Sequence, residues 1–188
     1  MSETGSSRKR VAPIIASVVG ALLVGFLWVL VTAKPNTADD ADSPLLGQPA
    51  PSVVTTTLNE EDFVLARRKG SWVIFNFFNS TCVPCVAEHA ELVAFNERES
   101  TAANPAELYT VINDDNDDSV RAFFSKNGGE WQKIRDTDGA ISVAFGVAKV
   151  PETWVIDPNG YVRLRIAGQL TPGLLDDQLA LLKKQFGS

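Results

Sequence analysis

The chain is poor in the residues that build metal centres. Among its 188 residues there are two cysteines, Cys82 and Cys85, one histidine, His89, and one methionine, at the N-terminus. A structural zinc site needs about four nitrogen, sulfur or oxygen ligands, usually two cysteine pairs or added histidines, so this chain cannot supply one in the usual way. No metal or organic cofactor is expected. Positive charge is also scarce. The formal net charge is −6, and setting aside residues 1–33, with three basic residues and one acidic one, leaves the remainder more acidic still. No basic patch interleaved with aromatics occurs, which argues against nucleic acid as a partner. Internal repeats and long low-complexity segments are likewise absent.

One long uncharged run is present. Arg8-Lys9-Arg10 precedes 23 residues, Val11 to Ala33, without a charge. As a helix at about 1.5 Å per residue this run is about 35 Å long, enough for a bilayer core of about 30 Å. The basic triplet predicts that residues 1–10 stay in the cytoplasm and that the rest lies outside. A buried core helix would show a polar face, and this run has none. A cleaved signal peptide is the better rival, since Val31-Thr32-Ala33 offers small residues for a peptidase, but the apolar stretch exceeds the usual length of about 7–15 residues. The reading is therefore an uncleaved anchor over 11–33, and the lack of a nearby cysteine excludes a lipidated N-terminus. Lys34 to Ser43 is polar and acidic and reads as a linker over 34–43.

From Pro44 onward, strand and helix patterns alternate. Val53 to Leu58 reads as a strand, and Trp72 to Phe78 as a central strand apolar on both faces. Val86 to about Arg98 has helical spacing. Glu107 to Ile112 reads as a strand and Ser119 to Lys126 as a short helix. Trp131 to Arg135 reads as a strand and Ile141 to Phe145 as a helix. Thr153 to Ile156 and Tyr161 to Ile166 are joined by the turn Asp157-Pro158-Asn159-Gly160. Thr171 to Phe186 reads as a closing helix, capped by Thr171 with Pro172 at its first position. A βαβ unit followed by a hairpin and a helix predicts one α/β domain over 44–188, with a mixed sheet covered by helices.

Cys82 and Cys85 sit two residues apart where a strand gives way to a helix. A static disulfide there would close a tiny loop and restrain little of the unfolded chain. A redox-active dithiol is the better reading. If the helix starts near Cys82, its sulfur faces the unpaired N–H groups of the first turn, which favours the thiolate. Pro84 then falls where its missing N–H costs nothing. Cys82 becomes the attacking thiol, and Cys85, one turn in, the resolving one.

Two segments, Phe77 to Leu92 (FFNSTCVPCVAEHAEL) and Val150 to Gln169 (VPETWVIDPNGYVRLRIAGQ), resemble the thioredoxin superfamily. They are most similar to its membrane-anchored extracytoplasmic branch, the ResA/TlpA/CcmG-type (DsbE-like) thiol–disulfide proteins, and the resemblance spans about Pro44 to Phe186. It implies a thioredoxin-like fold and a redox-active Cys82–Cys85 disulfide. It implies a cis Pro151 facing the cysteines, with Val150 offering backbone to a substrate chain. Glu88 matches an acidic residue near the active site that shuttles protons or tunes the thiols; its plainer reading is a solvated charge in the first helical turns. Glu152 matches the Pro-Glu-Thr motif and is expected to tune the pair similarly. Asn76 stands where cytoplasmic thioredoxins carry a buried aspartate. An amide takes no proton, which leaves Glu88 as the candidate base. His89 points about 100° away around the helix from Glu88 and reads as a surface or partly packed residue. Thr81 departs from the family, which usually has an aromatic residue, most often Trp, before the first cysteine.

The function implied is a membrane-tethered thiol–disulfide oxidoreductase outside the cytoplasm. It would reduce secreted protein clients such as the haem-binding CxxCH of an apocytochrome c, and would itself be reduced by a membrane electron donor of the CcdA/DsbD kind. The alternatives are an oxidase that introduces disulfides, and a non-catalytic binding module or chaperone.

Overall fold

The computed structural model describes residues 11–32 and 39–187, with side chains over 14–28 and 41–187. Residues 1–10, Ala33 and the first half of the expected linker, 34–38, lie outside the described residues. The chain divides into two units, 1–35 and 36–188. In the first, Val11–Thr32 is a single helix, α1, and Ile14, Leu22, Val24, Phe26 and Trp28 are all exposed on it. Among the described residues, no helix is long and apolar enough to cross a membrane.

In the second unit a six-stranded mixed sheet runs in the order β1-β8-β7-β4-β5-β6. The strands are β1 (Asp39–Asp40), β4 (Val73–Phe78), β5 (Glu107–Ile112), β6 (Gln132–Arg135), β7 (Glu152–Ile156) and β8 (Val162–Ala167), and a separate hairpin is made by β2 (Val54–Thr56) and β3 (Asp62–Val64). Strands β4, β5 and β6 are parallel, while β7, β8 and β1 add on antiparallel. Two residues of the acidic segment expected as linker thus join the sheet edge, Asp39 opposite Ala167 and Asp40 opposite Ile166.

Every residue of β4 is buried, because helices cover both faces of the sheet. Trp72, Ile74 and Phe78 point into one core layer with Leu92, Phe95, Val120, Phe124 and Leu179. That layer is closed by α2 (Val83–Ser100), α3 (Asp117–Asn127) and α5 (Leu174–Phe186). Val73, Phe75 and Phe77 point into the opposite layer with Phe63, Phe145 and Trp154, under α4 (Ala140–Phe145). The period-two alternation of a doubly covered strand is what places Asn76 on the α2 side.

The hairpin between β7 and β8 forms as its sequence predicts. Asp157 Oδ1 accepts the N–H groups of Asn159 and Tyr161, each at 2.9 Å, and Gly160 takes a φ of 87°, which favours glycine. The closing helix starts later than expected. Leu174 donates its N–H to the Thr171 carbonyl, so Thr171-Pro172-Gly173 makes a turn and α5 begins only at Leu174.

Candidate functional site

The cysteine pair sits where β4 hands over to α2. Asn79 fixes the approach. Its Nδ2 donates to the carbonyls of Asn113 (3.1 Å) and Asp114 (2.7 Å), and its Oδ1 accepts the N–H (2.9 Å) and hydroxyl (2.6 Å) of Thr81. The Ser80 N–H donates to Asp115 Oδ2 at 2.6 Å. The turn before Cys82 is therefore pinned to the loop after β5.

Cys82 is the N-cap of α2. Its Sγ accepts the Cys85 N–H at 3.3 Å, and Pro84 lies in the first turn. Cys82 and Cys85 are joined in a disulfide with a Cα–Cα distance of 5.2 Å. The two sulfurs have unequal surroundings: Cys82 is partly exposed, whereas Cys85 is completely buried. Val83, on the rim beside them, is among the most exposed apolar side chains of this unit.

Across from the pair, the Val150–Pro151 peptide is cis, and the Val150 carbonyl oxygen lies 3.7 Å from Cys82 Sγ. Val150 is half-buried and Pro151 buried. Glu152, also buried, is paired with Arg165: Nε donates to Oε2 and Nη2 to Oε1, both at 2.9 Å. Its Oε1 accepts the Ala148 N–H at 3.3 Å. The structure thus makes Glu152 a clamp on the loop before Pro151 whose charge is met by Arg165.

Glu88 lies one turn after Cys85 on the same face of α2 and is only 1% exposed. Oε1 accepts from Asn76 Nδ2 at 2.8 Å, and Oε2 from the Leu170 N–H at 2.7 Å. Burial pushes its pKa from 4.5 up to about 7, against the two hydrogen bonds, which pull it down. A carboxyl with this midpoint exchanges a proton near neutrality, where a general acid or base works best. The plainer expectation, a solvated charge, does not describe it.

His89 is also buried, where the sequence suggested a surface or partly packed residue. Its Nε2 faces the Gly128 carbonyl at 3.0 Å, and Phe123, Phe124 and Trp131 surround the ring. Burial lowers its pKa. The structure brings together Cys82, Cys85, Glu88, Val150, Pro151 and Glu152 at one end of the sheet and packs His89 into the core under α3.

Sequence reasoning missed three partners: Thr153, whose Oγ1 accepts from Asn76 Nδ2 at 3.1 Å, the Leu170 backbone, and Arg165. The alternation of arginines with apolar residues in Val162-Arg163-Leu164-Arg165-Ile166 is a sequence signal that puts both arginines on one side of β8, but it does not say which of them meets Glu152. Among the described residues, no cluster of histidine, cysteine and carboxylate side chains fits a metal ion.

Residues 46–165 match the AhpC/TSA family. Thiol-disulfide oxidoreductase ResA of Bacillus subtilis is 27% identical over 164 residues, spanning 85% of this chain and 90% of that protein. Thiol:disulfide interchange protein HelX of Rhodobacter capsulatus is 30% identical over 149 residues, 78% of this chain and 81% of its own. Among solved structures, a thiol:disulfide interchange protein of the thioredoxin family from Chlorobium tepidum superposes with a TM-score of 0.64 at 23% identity, over 75% of this chain and 98% of that one.

Proposed function

The chain belongs to the AhpC/TSA family, as a thioredoxin-like thiol–disulfide oxidoreductase, and from that premise we propose that it reduces disulfides of client proteins outside the cytoplasm while tethered through its N-terminal uncharged run, 11–33. The observation that carries the assignment of roles is the unequal pair: an accessible sulfur at a helix start and a fully buried one a turn later.

In the reduced protein Cys82, as thiolate, attacks a client disulfide. One client sulfur leaves and takes a proton, and Cys82 is joined to the other. Cys85, deprotonated by Glu88, then attacks Cys82 and releases the second client thiol. The client gains two electrons and two protons, and the Cys82–Cys85 disulfide forms. The client strand lies along Val150, whose carbonyl is already beside Cys82, with Pro151 as the floor and Glu152 and Arg165 holding the loop. A membrane donor of the CcdA/DsbD kind returns the electrons. The expected client is the CxxCH of an apocytochrome c, whose thiols must be free before haem attachment. Tethering is supported by the 23 uncharged residues behind Arg8-Lys9-Arg10, a run longer than the 14–28 stretch whose side chains are described.

A Cys85→Ala variant tests the scheme by trapping. Mixed disulfides on Cys82 that include c-type apocytochromes are the expected result. Capture of other secreted proteins alone removes the cytochrome assignment. Full cellular function in Cys82→Ser removes the redox mechanism and leaves a binding module. A reduction potential like that of strong oxidants, with rapid oxidation of reduced peptides, reverses the direction.

A further inference from the structure

Asn76 is fully buried in the middle of β4, and both hydrogens of its amide are used. Nδ2 donates to Glu88 Oε1 at 2.8 Å and to Thr153 Oγ1 at 3.1 Å. Its Oδ1 is buried and has no partner. An unpaired buried amide oxygen costs about 1–3 kcal/mol. Such an atom calls for an explanation when it lies beside a reacting group.

The reacting group is Cys85. Asn76 lies between Ile74 and Phe78 on the side of β4 that faces α2, and those two residues share their core layer with Cys85. Cys85 and Glu88 are three apart on the buried face of α2, so the Asn76 amide is bonded to the side chain one turn along the helix from Cys85. In the disulfide, that sulfur has no hydrogen to give. Reduction by a dithiol breaks the S–S bond, delivers two electrons and two protons, and leaves an S–H on Cys85 inside the core.

The other unpartnered buried side-chain atoms among the described residues are Arg68 Nε, Trp72 Nε1, Trp154 Nε1 and His89 Nδ1. The first three are donors. The fourth belongs to a ring turned away toward Phe123, Phe124 and Trp131. Asn76 Oδ1 is thus the unpaired side-chain oxygen available to the new donor.

We propose that Asn76 is a positioning residue for the dithiol step, its carboxamide oxygen accepting the S–H of Cys85 once the disulfide opens while its Nδ2 holds Glu88. The bond favours thiol over thiolate at Cys85, so the buried sulfur keeps its proton while Cys82 attacks. The same amide keeps the Glu88 carboxylate in place to collect that proton when Cys85 must resolve. The inference rests on the dithiol roles given above.

The test uses the full chain with 13C-labelled asparagine, reduced with dithiothreitol, and requires no client. The Asn76 carboxamide carbon is expected to shift on reduction, and the shift should be absent in Cys85→Ala under the same conditions. A resonance that ignores reduction, or that moves equally in Cys85→Ala, overturns the proposal. A second arm compares Asn76→Leu in a Glu88→Gln background, which removes the carboxylate's own titration. There the Cys85 thiol pKa, read from its β-carbon, should fall by about one unit. The equilibrium with glutathione should move about threefold to tenfold toward the disulfide. Unchanged values overturn the proposal, and should the double variant not fold, the labelling result decides. Failure here leaves the trapping experiment untouched, and failure of trapping leaves this hydrogen bond measurable.

Discussion

Leu170 donates its backbone N–H to Glu88 Oε2 at 2.7 Å, across 82 residues of sequence. The segment between β8 and α5 is therefore tied to the face of α2 that carries Cys85. On its other side Glu88 is held by Asn76. These two bonds favour the carboxylate, yet burial outweighs them and sets a midpoint of about 7.

This gives stability a definite pH dependence. The folded-state pKa of Glu88 lies above its unfolded value of 4.5, so the folded protein binds more protons between the two. Glu88 then lowers stability as pH rises from about 4.5 to about 7, by about 3 kcal/mol at most. Denaturant unfolding of wild type and Glu88→Gln at pH 5, 6, 7 and 8 checks this. The wild type should lose ground to the variant over that interval, and parallel curves would remove the shift.

Arg165 and Glu152 form the second buried device, with two parallel hydrogen bonds of 2.9 Å and side chains only 16% and 2% exposed. Removing one member leaves an uncompensated buried charge. Arg165→Met should destabilise by about 3–5 kcal/mol, and Glu152→Gln/Arg165→Met should recover much of that. Because Glu152 also holds the Ala148 N–H, the single variant should speed amide exchange of Ala148. Ordinary stability in Arg165→Met would show that the pair does not hold the loop.

What the sequence makes legible follows from range. The bounds of β5 agree with expectation, since Glu107 to Ile112 is a short apolar strand punctuated on both sides. Apolar spacing alone begins α2 at Val86, but the cysteine–proline pattern puts its start near Cys82, and there it lies: Cys82 is the N-cap and the helix begins at Val83. Periodicity singles out neither Glu88 nor Asn76; the resemblance draws attention to both positions. That they touch follows from the packing of α2 on β4. His89 lies deeper than its sequence position predicts, for a related reason. Helical periodicity puts it off the Glu88 face, but α3, between β5 and β6, brings Phe123 and Phe124 over it. Arg165 reaches Glu152 through the antiparallel β7–β8 pairing, which a bulge at Val155/Ile156 shifts. A hairpin motif does not specify that shift.

Asn79 should prove as important for the active-site turn as its four hydrogen bonds suggest. Several are exposed, and each net contribution is about 1 kcal/mol or less, so Asn79→Ala should cost about 2 kcal/mol. Amide exchange at Thr81 should rise in parallel, because its N–H loses its acceptor. A loss of stability without faster exchange at Thr81 would place the effect outside the turn.

Lys133 offers a test far from the cysteines. Its Nζ donates to the carbonyls of Gly129 and Trp131 and lies 4.2 Å from the Phe124 ring centroid and 5.3 Å from that of Trp131. Burial pushes its pKa from 10.5 down to about 8, opposed by the nearby Glu130 carboxylate. The folded protein then binds fewer protons than the unfolded chain between about 8 and 10.5, so this lysine adds stability as pH rises through that window. A 13Cε-lysine NMR titration should show one resonance with a midpoint near 8, lost in Lys133→Met. Stability of Lys133→Met relative to wild type should fall between pH 8 and 10. A midpoint near 10.5 would mean that solvent reaches the ammonium and that the aromatic wall formed by α3 and Trp131 is open.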